Sequence, residues 1–287
     1  MQIKKIIEMG ILIEPVLAKE LNQMPEQQFN TLVTKLVELD AKPMILDEQL
    51  VNILTAVPLK IIKQVQPRKE ISMPELATAW NTRFSILQKA LMRRPELNKA
   101  VSIRSANRMC TLIGAVNIGI KTTLEDPTGS IQVMLPEGVK VFSDDVVGVV
   151  GNVSSGVMKV EEVFFPDIPL QQAKHAELTI GIETQADFIL QIKSGETTWA
   201  DCKGISVMLS KLDEETKVKF GSGESLANEI IKRRTFGQAP FDAIEPIPDV
   251  LFIEGADNFT VNHKGTTIVG FKKSVCVNMR DRSVESE

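Results

Sequence analysis

The hydrophobic period of the chain changes at residue 101. Up to that point, apolar residues recur every three or four positions, as on one face of an amphipathic helix. Within residues 74–100 this spacing is carried by Leu76, Trp80, Phe84, Leu87 and Leu91. Beyond residue 101, short runs of strand type are separated by Gly, Asn and Pro. The chain is therefore predicted to be a multidomain α+β protein.

Residues 1–66 are predicted to form a helical N-terminal domain. Residues 6–21 and 29–39 have apolar residues near helical spacing, and residues 46–57 begin with acidic side chains that suit a helix start. Residues 67–100 are predicted to be a linker followed by a helix, since Pro74 suits a first helical turn. The basic residues Arg93 and Arg94 near the end of this helix allow either a solvated face or a nucleic-acid contact.

Residues 101–170 are predicted to form a small barrel, because several short strands follow one another at close spacing. Two of them flank a tight turn, Asp126-Pro127-Thr128-Gly129. Proline at the second position and glycine at the fourth are typical of a type I turn. Glu125, Asp126, Pro127 and Gly129 are therefore assigned to a structural hairpin.

The charge of the predicted barrel favours a protein partner over single-stranded nucleic acid. A strand-binding barrel needs a positive groove and aromatic platforms. Residues 101–170 hold five basic and eight acidic side chains, and their only aromatic residues are Phe142, Phe164 and Phe165. The whole chain has a net charge of −4, which also argues against bulk attraction to nucleic acid.

Residues 171–287 are predicted to mix strands and helices. The strand candidates lie at 176–183, 205–209, 249–255, 266–271 and 275–279, and the helix candidates lie at 186–193 and 224–234. Hydrolysis with two metal ions needs several His and Asp ligands, but the chain has two histidines, His175 and His263. Its three cysteines form no C-x-x-C pair, and no phosphate-binding or nucleophile motif is present. We therefore predict no metal, cofactor or catalytic residue, and we interpret His263 as an exposed turn residue.

Five segments occur in an order typical of one family: WNTRFSILQKALMRRPEL, CTLIGAVNIG, LEDPTGSIQVML, SDDVVGVVG and VFFPDIP. Together they resemble the small subunit of archaeal family D DNA polymerase, which is related to the B-subunits of eukaryotic replicative polymerases. The resemblance implies a helical domain, an OB-fold barrel over 101–170 and a calcineurin-like phosphoesterase domain over 171–287. It also implies docking to the large catalytic subunit of a DNA polymerase, with DNA contacted indirectly through the complex.

The C-terminal segments depart from the pattern of active members. Where the family places D-x-H after a strand, this chain has ELTIGIE, which ends at Glu183. Where the family places G-H-x-H, it has Gly255, Ala256, Asp257 and Asn258. Residues 171–287 are also fewer than an intact phosphoesterase domain would need. The resemblance therefore implies a shortened and inactivated phosphoesterase-like domain in which these five residues mark a degenerate former site.

Three functions follow from these observations. The first is a non-catalytic accessory subunit without cofactor, cytoplasmic and nucleoid-associated, with no contact to a membrane. The second is a single-stranded-DNA-binding or replisome adaptor protein that uses the barrel. Its contacts would come from the basic pairs Arg93 and Arg94, Arg233 and Arg234, and Lys272 and Lys273. The third is a residual metal-dependent 3′–5′ exonuclease that uses Glu183, Asp249 and Asp257.

Overall fold

The computed structural model describes residues 3–24, 26–39, 43–47, 50–51, 54, 60–65, 72–184, 186–190, 197–236 and 243–287. The α-helices with defined bounds in this part of the chain are α1 (Lys4–Glu8), α2 (Leu17–Gln23), α3 (Glu26–Glu38), α4 (Met73–Leu91), α5 (Glu214–Phe220) and α6 (Gly223–Arg233). The mixed α+β class expected from the change of period is confirmed.

The N-terminal region packs α1, α2 and α3 around one core, in which Ile6, Leu21, Phe29, Leu32 and Leu36 are fully buried. A short parallel pair, β1 (Leu12–Ile13) and β2 (Ile45–Leu46), joins this region. Of the third predicted helix, residues 50, 51 and 54 are helical and much of the remainder lies outside the described residues. Asp47 caps its start by accepting a hydrogen bond from the backbone N–H of Leu50 at 2.8 Å.

Residues 60–65 form a strand, β3 (Lys60–Val65), so the expectation of helix throughout 1–66 is wrong here. Ile61, Ile62 and Val65 are β-branched residues that favour extended backbone. The strand pairs antiparallel with residues 197–201, far along the chain, and forms the edge of the C-terminal sheet. A domain boundary at residue 66 stays a prediction.

Helix α4 begins with a capping box in which Glu75 accepts hydrogen bonds from the backbone and side chain of Ser72. Pro74 lies in its first turn, as the sequence predicts. Leu87 and Leu91 on its inner face pack with residues of the following barrel. Two 3₁₀ turns, at Pro95–Leu97 and Ile103–Ser105, then lead the chain into the first barrel strand.

The predicted barrel is present, closed and five-stranded. Its strands are β4 (Arg108–Ile118), β5 (Thr122–Asp126), β6 (Gly129–Met134), β7 (Val146–Ser154) and β8 (Val157–Phe164), in the order β4-β5-β6-β8-β7. All neighbours are antiparallel except β6 and β8, which run parallel. The hairpin β5–β6 is confirmed, because Asp126 pairs with Gly129. Asp126 also fixes the turn by accepting hydrogen bonds from the backbone N–H groups of Thr128 and Gly129, at 2.7 Å and 3.1 Å.

The C-terminal region contains two sheets. Their strands after the barrel are β9 (Thr179–Ile182), β10 (Phe188–Leu190), β11 (Thr197–Cys202), β12 (Ile205–Lys211), β13 (Val250–Glu254), β14 (Phe259–His263), β15 (Thr266–Phe271), β16 (Val275–Asn278) and β17 (Val284–Ser286). One sheet has the order β14-β15-β13-β12-β11-β3 and the other the order β10-β9-β16-β17. The five strand candidates in this region are confirmed. The helix predicted over 186–193 is wrong at Phe188–Leu190, which is a strand parallel to β9, and residues 191–193 lie outside the described part of the chain.

Strand β13 shows how the layers are built. Val250 and Phe252 pack in the core between the two sheets, whereas Leu251 and Ile253 pack against α5 and α6 on the other face. Successive side chains of a strand point to opposite faces, so a continuously apolar run is buried on both sides. The order of layers is therefore helices, central sheet and second sheet. In the part of the chain that the structure describes, no helix has the length and apolar character to cross a membrane.

Candidate functional site

The former-site motif predicted at Gly255–Asn258 lies in the turn between β13 and β14. Gly255 has φ +82°, a conformation that suits glycine, and its N–H donates to the Phe271 carbonyl at 2.9 Å. Ala256 is buried in the core on the helix side of the central sheet. Asp257 is exposed and accepts a hydrogen bond from Lys272 Nζ at 2.9 Å, which holds the pKa of Asp257 below its usual value. The carboxylate therefore has a surface cation as its partner.

The other predicted member of the former site, Glu183, follows β9 and is exposed, with φ +52°. Strand β9 belongs to the four-stranded sheet and β13 to the six-stranded one, so the two candidate segments follow strands of different sheets. Among the residues whose structure is described, no group of three or more His, Cys, Asp or Glu side chains is placed to hold a metal ion.

Asp249, a candidate nuclease carboxylate, is buried at the start of β13. Its Oδ2 accepts hydrogen bonds from Lys174 Nζ and from the backbone N–H of Ser206, both at 2.8 Å. Its backbone carbonyl accepts from Arg282 Nη1 at 3.0 Å. These contacts tie the start of β13 to the start of β12 and to the C-terminal segment, which is a structural role.

Arg233 joins the C-terminal region to the barrel. Its guanidinium lies 2.6 Å from Asp145 Oδ2 on the barrel side and 2.6 Å from Glu229 Oε2 on its own helix, and it donates to the Lys140 carbonyl at 3.0 Å. The Arg233 and Asp145 side chains are 1% and 2% exposed. Burial raises the pKa of Asp145, although the charge of Arg233 opposes that effect. This buried ion pair links the barrel to the C-terminal region.

Arg234, the next residue, ends α6 in the left-handed conformation and is also buried. Its Nη1 lies 3.0 Å from Glu245 Oε2, and its Nη2 donates to the Asp167 carbonyl at 3.2 Å. Burial lowers the pKa of Arg234, against the opposing charge of Glu245. The guanidinium groups of Arg233 and Arg234 are thus both engaged within the fold.

Asp167, between the barrel and the C-terminal sheet, gathers two side chains that are distant in sequence. Its Oδ1 is 3.0 Å from His263 Nε2, and its Oδ2 is 2.5 Å from Lys264 Nζ. Burial alone would raise the pKa of Asp167, but the hydrogen bonds from Lys264 and His263 hold it below its usual value. The interpretation of His263 as an exposed turn residue is therefore wrong, since its side chain is 22% exposed and hydrogen-bonded to Asp167.

A cleft of about 260 Å³ opens beside this contact, and we name it the junction cleft. It lies between the segment after α4, the end of β8, helix α6 and the end of β14. Its lining residues are Arg94, Val163, Phe164, Phe165, Asp167, Asn228, Lys232 and His263. Of the other basic candidates, Arg93, Lys272 and Lys273 are exposed. Arg94 is therefore the one predicted nucleic-acid residue that lines this cleft.

Comparison with known proteins finds similarity to small subunits of DNA polymerase. A DNA polymerase II small subunit from Methanothermobacter thermautotrophicus is 27% identical over 146 aligned residues, which cover 44% of this chain and 29% of that protein. The small subunits from Pyrococcus furiosus and Pyrococcus abyssi are each 30% identical over 128 residues, covering 38% of this chain and 21% of theirs. The resemblance to the polymerase small-subunit family is confirmed. The matched region spans less than a third of the length of these relatives.

Other comparisons add no argument to the small-subunit resemblance. No family model matches the chain. The crystal structure of the telomere capping protein Ten1 from Saccharomyces pombe is 16% identical and covers 23% of this chain and 77% of its own, with a TM-score of 0.20. That score is too low to support a conclusion about fold or function.

Two acidic residues that connect the barrel to the C-terminal region lie in segments on which the resemblance to polymerase small subunits depends. Asp145 lies in SDDVVGVVG and Asp167 lies in VFFPDIP, two of the segments on which the resemblance depends. Their partners Arg233 and His263 come 88 and 96 residues later in the chain. No local pattern links residues so far apart. The segments therefore contain the two acidic residues but do not indicate which side chains they contact.

Proposed function

We propose that this protein is a non-catalytic accessory subunit of a DNA polymerase, and that it binds and stabilises the large catalytic subunit. The observation that carries this proposal is the similarity to three proteins named DNA polymerase II small subunit. A small subunit implies a larger one, with which it forms the polymerase.

The architecture we propose is a helical domain that ends before β3, a linker and helix over 67–100, an OB fold over 101–170 and a phosphoesterase-like domain over 171–287 to which β3 adds an edge strand. The order of the barrel strands supports the OB fold. A five-stranded barrel with a crossover between β6 and β8 is the Greek-key arrangement of OB folds. The layers formed by α5, α6 and the two sheets support the phosphoesterase-like domain.

The lack of catalysis that we propose is supported by how the candidate carboxylates are used. Asp249 already accepts two hydrogen bonds in a buried position, and Asp257 has an exposed lysine as its partner. Glu183 follows a strand of the other sheet. Catalysis with two metal ions requires ligands that converge to hold the ions about 4 Å apart.

The barrel is the surface that we propose for docking. Large apolar side chains lie exposed on it at Met109, Ile118, Ile120 and Met134, and Ile120 at the tip of the β4–β5 turn is fully exposed. The acidic excess of 101–170 disfavours nucleic acid at the same surface. Obligate interfaces are large and apolar, so exposed side chains of this kind suit a stable protein partner.

Co-expression with the large polymerase subunit of the same genome tests the proposal. We expect the two chains to co-purify through affinity capture and to elute together in size-exclusion chromatography. An Ile120→Asp variant should weaken the complex, whereas Ile62→Asp, an equivalent change at an exposed isoleucine of β3, should not. Separate elution of the two unmodified chains would overturn the proposal.

Two assays of the isolated chain test the other functions. Turnover of a 3′-labelled DNA strand with manganese, lost on Asp257→Ala, would contradict a non-catalytic role and support the exonuclease. Steeply salt-dependent binding of a labelled oligonucleotide would support the adaptor that binds single-stranded DNA, since phosphate contacts release counterions. For the accessory subunit we expect neither result.

A further inference from the structure

The junction cleft is lined by two cations, Arg94 and Lys232, that have no close carboxylate partner among the described residues. Arg94 lies over the ring of Phe164, with its guanidinium carbon 5.8 Å from the ring centre. Lys232 Nζ lies 4.2 Å from the centre of the Phe165 ring, and its ion pair with Glu229 is long, at 4.0 Å. Within the described part of the chain, no ion pair engages Arg94. Both cations therefore keep the capacity to bind an anion.

The neighbouring basic residues differ in this respect. Arg233 has two carboxylates at 2.6 Å, Arg234 has one at 3.0 Å and Lys264 has one at 2.5 Å. The fold thus gives close acidic partners to the cations just outside the cleft, while the two that line it lie over aromatic rings. This difference sets Arg94 and Lys232 apart from a general basic surface.

The one carboxylate in the cleft does not cancel this charge. Asp167 is already bound by Lys264 through Oδ2 and by His263 through Oδ1. Since Lys264 balances Asp167, Arg94 and Lys232 are left in excess. Asn228, also in the lining, adds an amide that can donate hydrogen bonds.

We propose that the junction cleft binds a phosphate group, carried either by a small free molecule or by the end of a nucleic-acid strand. The planar guanidinium of Arg94 matches two phosphate oxygens at once, and Lys232 supplies a point charge beside it. The volume of about 260 Å³ lies below the range of about 300–1,000 Å³ typical of pockets for drug-sized ligands, so the cleft suits a small group such as a phosphate. The proposal does not depend on a polymerase partner.

Isothermal titration of inorganic phosphate into the full chain tests this site. We expect saturable binding that is weakened about 10- to 100-fold by Arg94→Gln and by Lys232→Gln, since each removes a charge-assisted hydrogen bond. Arg93→Gln is the matched control, because it removes the same charge from an adjacent exposed residue outside the cleft, and it should leave the affinity nearly unchanged. Circular dichroism confirms that each variant is folded; if one is not, the other decides.

Two further titrations identify the source of the phosphate. Tighter binding of a 5′-phosphorylated oligothymidylate than of its unphosphorylated twin and of thymidine monophosphate would assign the cleft to strand ends. Binding of the mononucleotide as tight as that of the phosphorylated strand would assign it to small free molecules.

Three results would overturn the proposal. The first is no measurable binding of phosphate by the unmodified chain. The second is equal loss of affinity on Arg93→Gln, which would indicate a diffuse field rather than a site. The third is binding of acetate as tight as that of phosphate, which would indicate a carboxylate site.

Discussion

Two arginine pairs, Arg93–Arg94 and Arg233–Arg234, each lie at or just beyond the C-terminal end of a helix, yet their surroundings are opposite. After α4, Arg93 is exposed and Arg94 lines the junction cleft over an aromatic ring. At the end of α6, both arginines are buried against carboxylates and backbone carbonyls. Both positions suit cations, because a helix C-terminus carries partial negative charge.

The two arginine pairs differ because other elements of the fold place acidic residues beside one pair and not beside the other. Arg233 meets Asp145 of the barrel, and Arg234 meets Glu245 and the carbonyl of Asp167. Among the residues whose structure is described, Arg94 has no such partner, and it lies over Phe164 instead. One pair therefore holds two regions together, while in the other pair Arg94 lines the cleft proposed to bind phosphate and Arg93 lies outside it.

Of the variants considered, Arg233→Ala should lower stability the most. It leaves Asp145 buried without its principal cation, so we expect the free energy of unfolding to fall by about 3–5 kcal/mol. Urea denaturation followed by circular dichroism measures the change. The matched control is Arg93→Ala, which should stay within about 0.5 kcal/mol of the unmodified chain. Equal losses for the two variants would mean that burial does not distinguish the pairs.

Asp167→Asn should lower stability less than Arg233→Ala, by an amount that depends on pH. It removes a carboxylate that is hydrogen-bonded to Lys264 and His263, so we expect a loss of about 1.5–3 kcal/mol at neutral pH. The fold lowers the pKa of Asp167, so its contribution is present above the unfolded value and is lost as pH falls through the folded one. The difference between variant and unmodified chain should therefore shrink in acid.

Denaturation at neutral pH and below the ordinary aspartate pKa measures that difference. A control variant at an exposed carboxylate without a partner in the junction, Glu183→Gln, should show no such pH dependence. A gap between Asp167→Asn and the unmodified chain that stays constant with pH would contradict the role of the Asp167 charge.

Asp257→Ala should have the smallest effect. Its carboxylate and Lys272 are both mostly exposed, and surface ion pairs contribute little. We expect no measurable change in the urea midpoint, and Lys272→Ala should behave in the same way. A clear loss of stability in both variants would show that the turn after β13 depends on this pair.

The sequence predicted the elements whose apolar period is unambiguous. The barrel, its hairpin at Asp126 and the buried strand β13 were all expected from local pattern. The strands at 60–65 and 188–190 were mistaken because short apolar runs fit a helix as well as a strand. They form strands because each pairs with a neighbouring strand, Thr197–Cys202 for the first and Thr179–Ile182 for the second.

The candidate site was less predictable for a related reason. Gly255–Asn258 could be placed by resemblance, and the structure puts them in the turn after β13. The junction of Asp145, Asp167, Arg233 and His263 depends on pairs distant in sequence, which a single sequence does not reveal. The lining of the junction cleft has the same origin, since its residues come from four separate segments.

Strand β3 has a consequence for how the protein is made. It leaves the ribosome before the barrel does, yet its partner β11 is synthesised only after the whole barrel. The C-terminal sheet is therefore discontinuous in sequence, with its edge encoded upstream of an inserted folding unit. Such distant pairing is slow to form. A recombinant fragment that starts at residue 171 would lack this edge strand and leave the pairing edge of Trp199 and its neighbours open to aggregation.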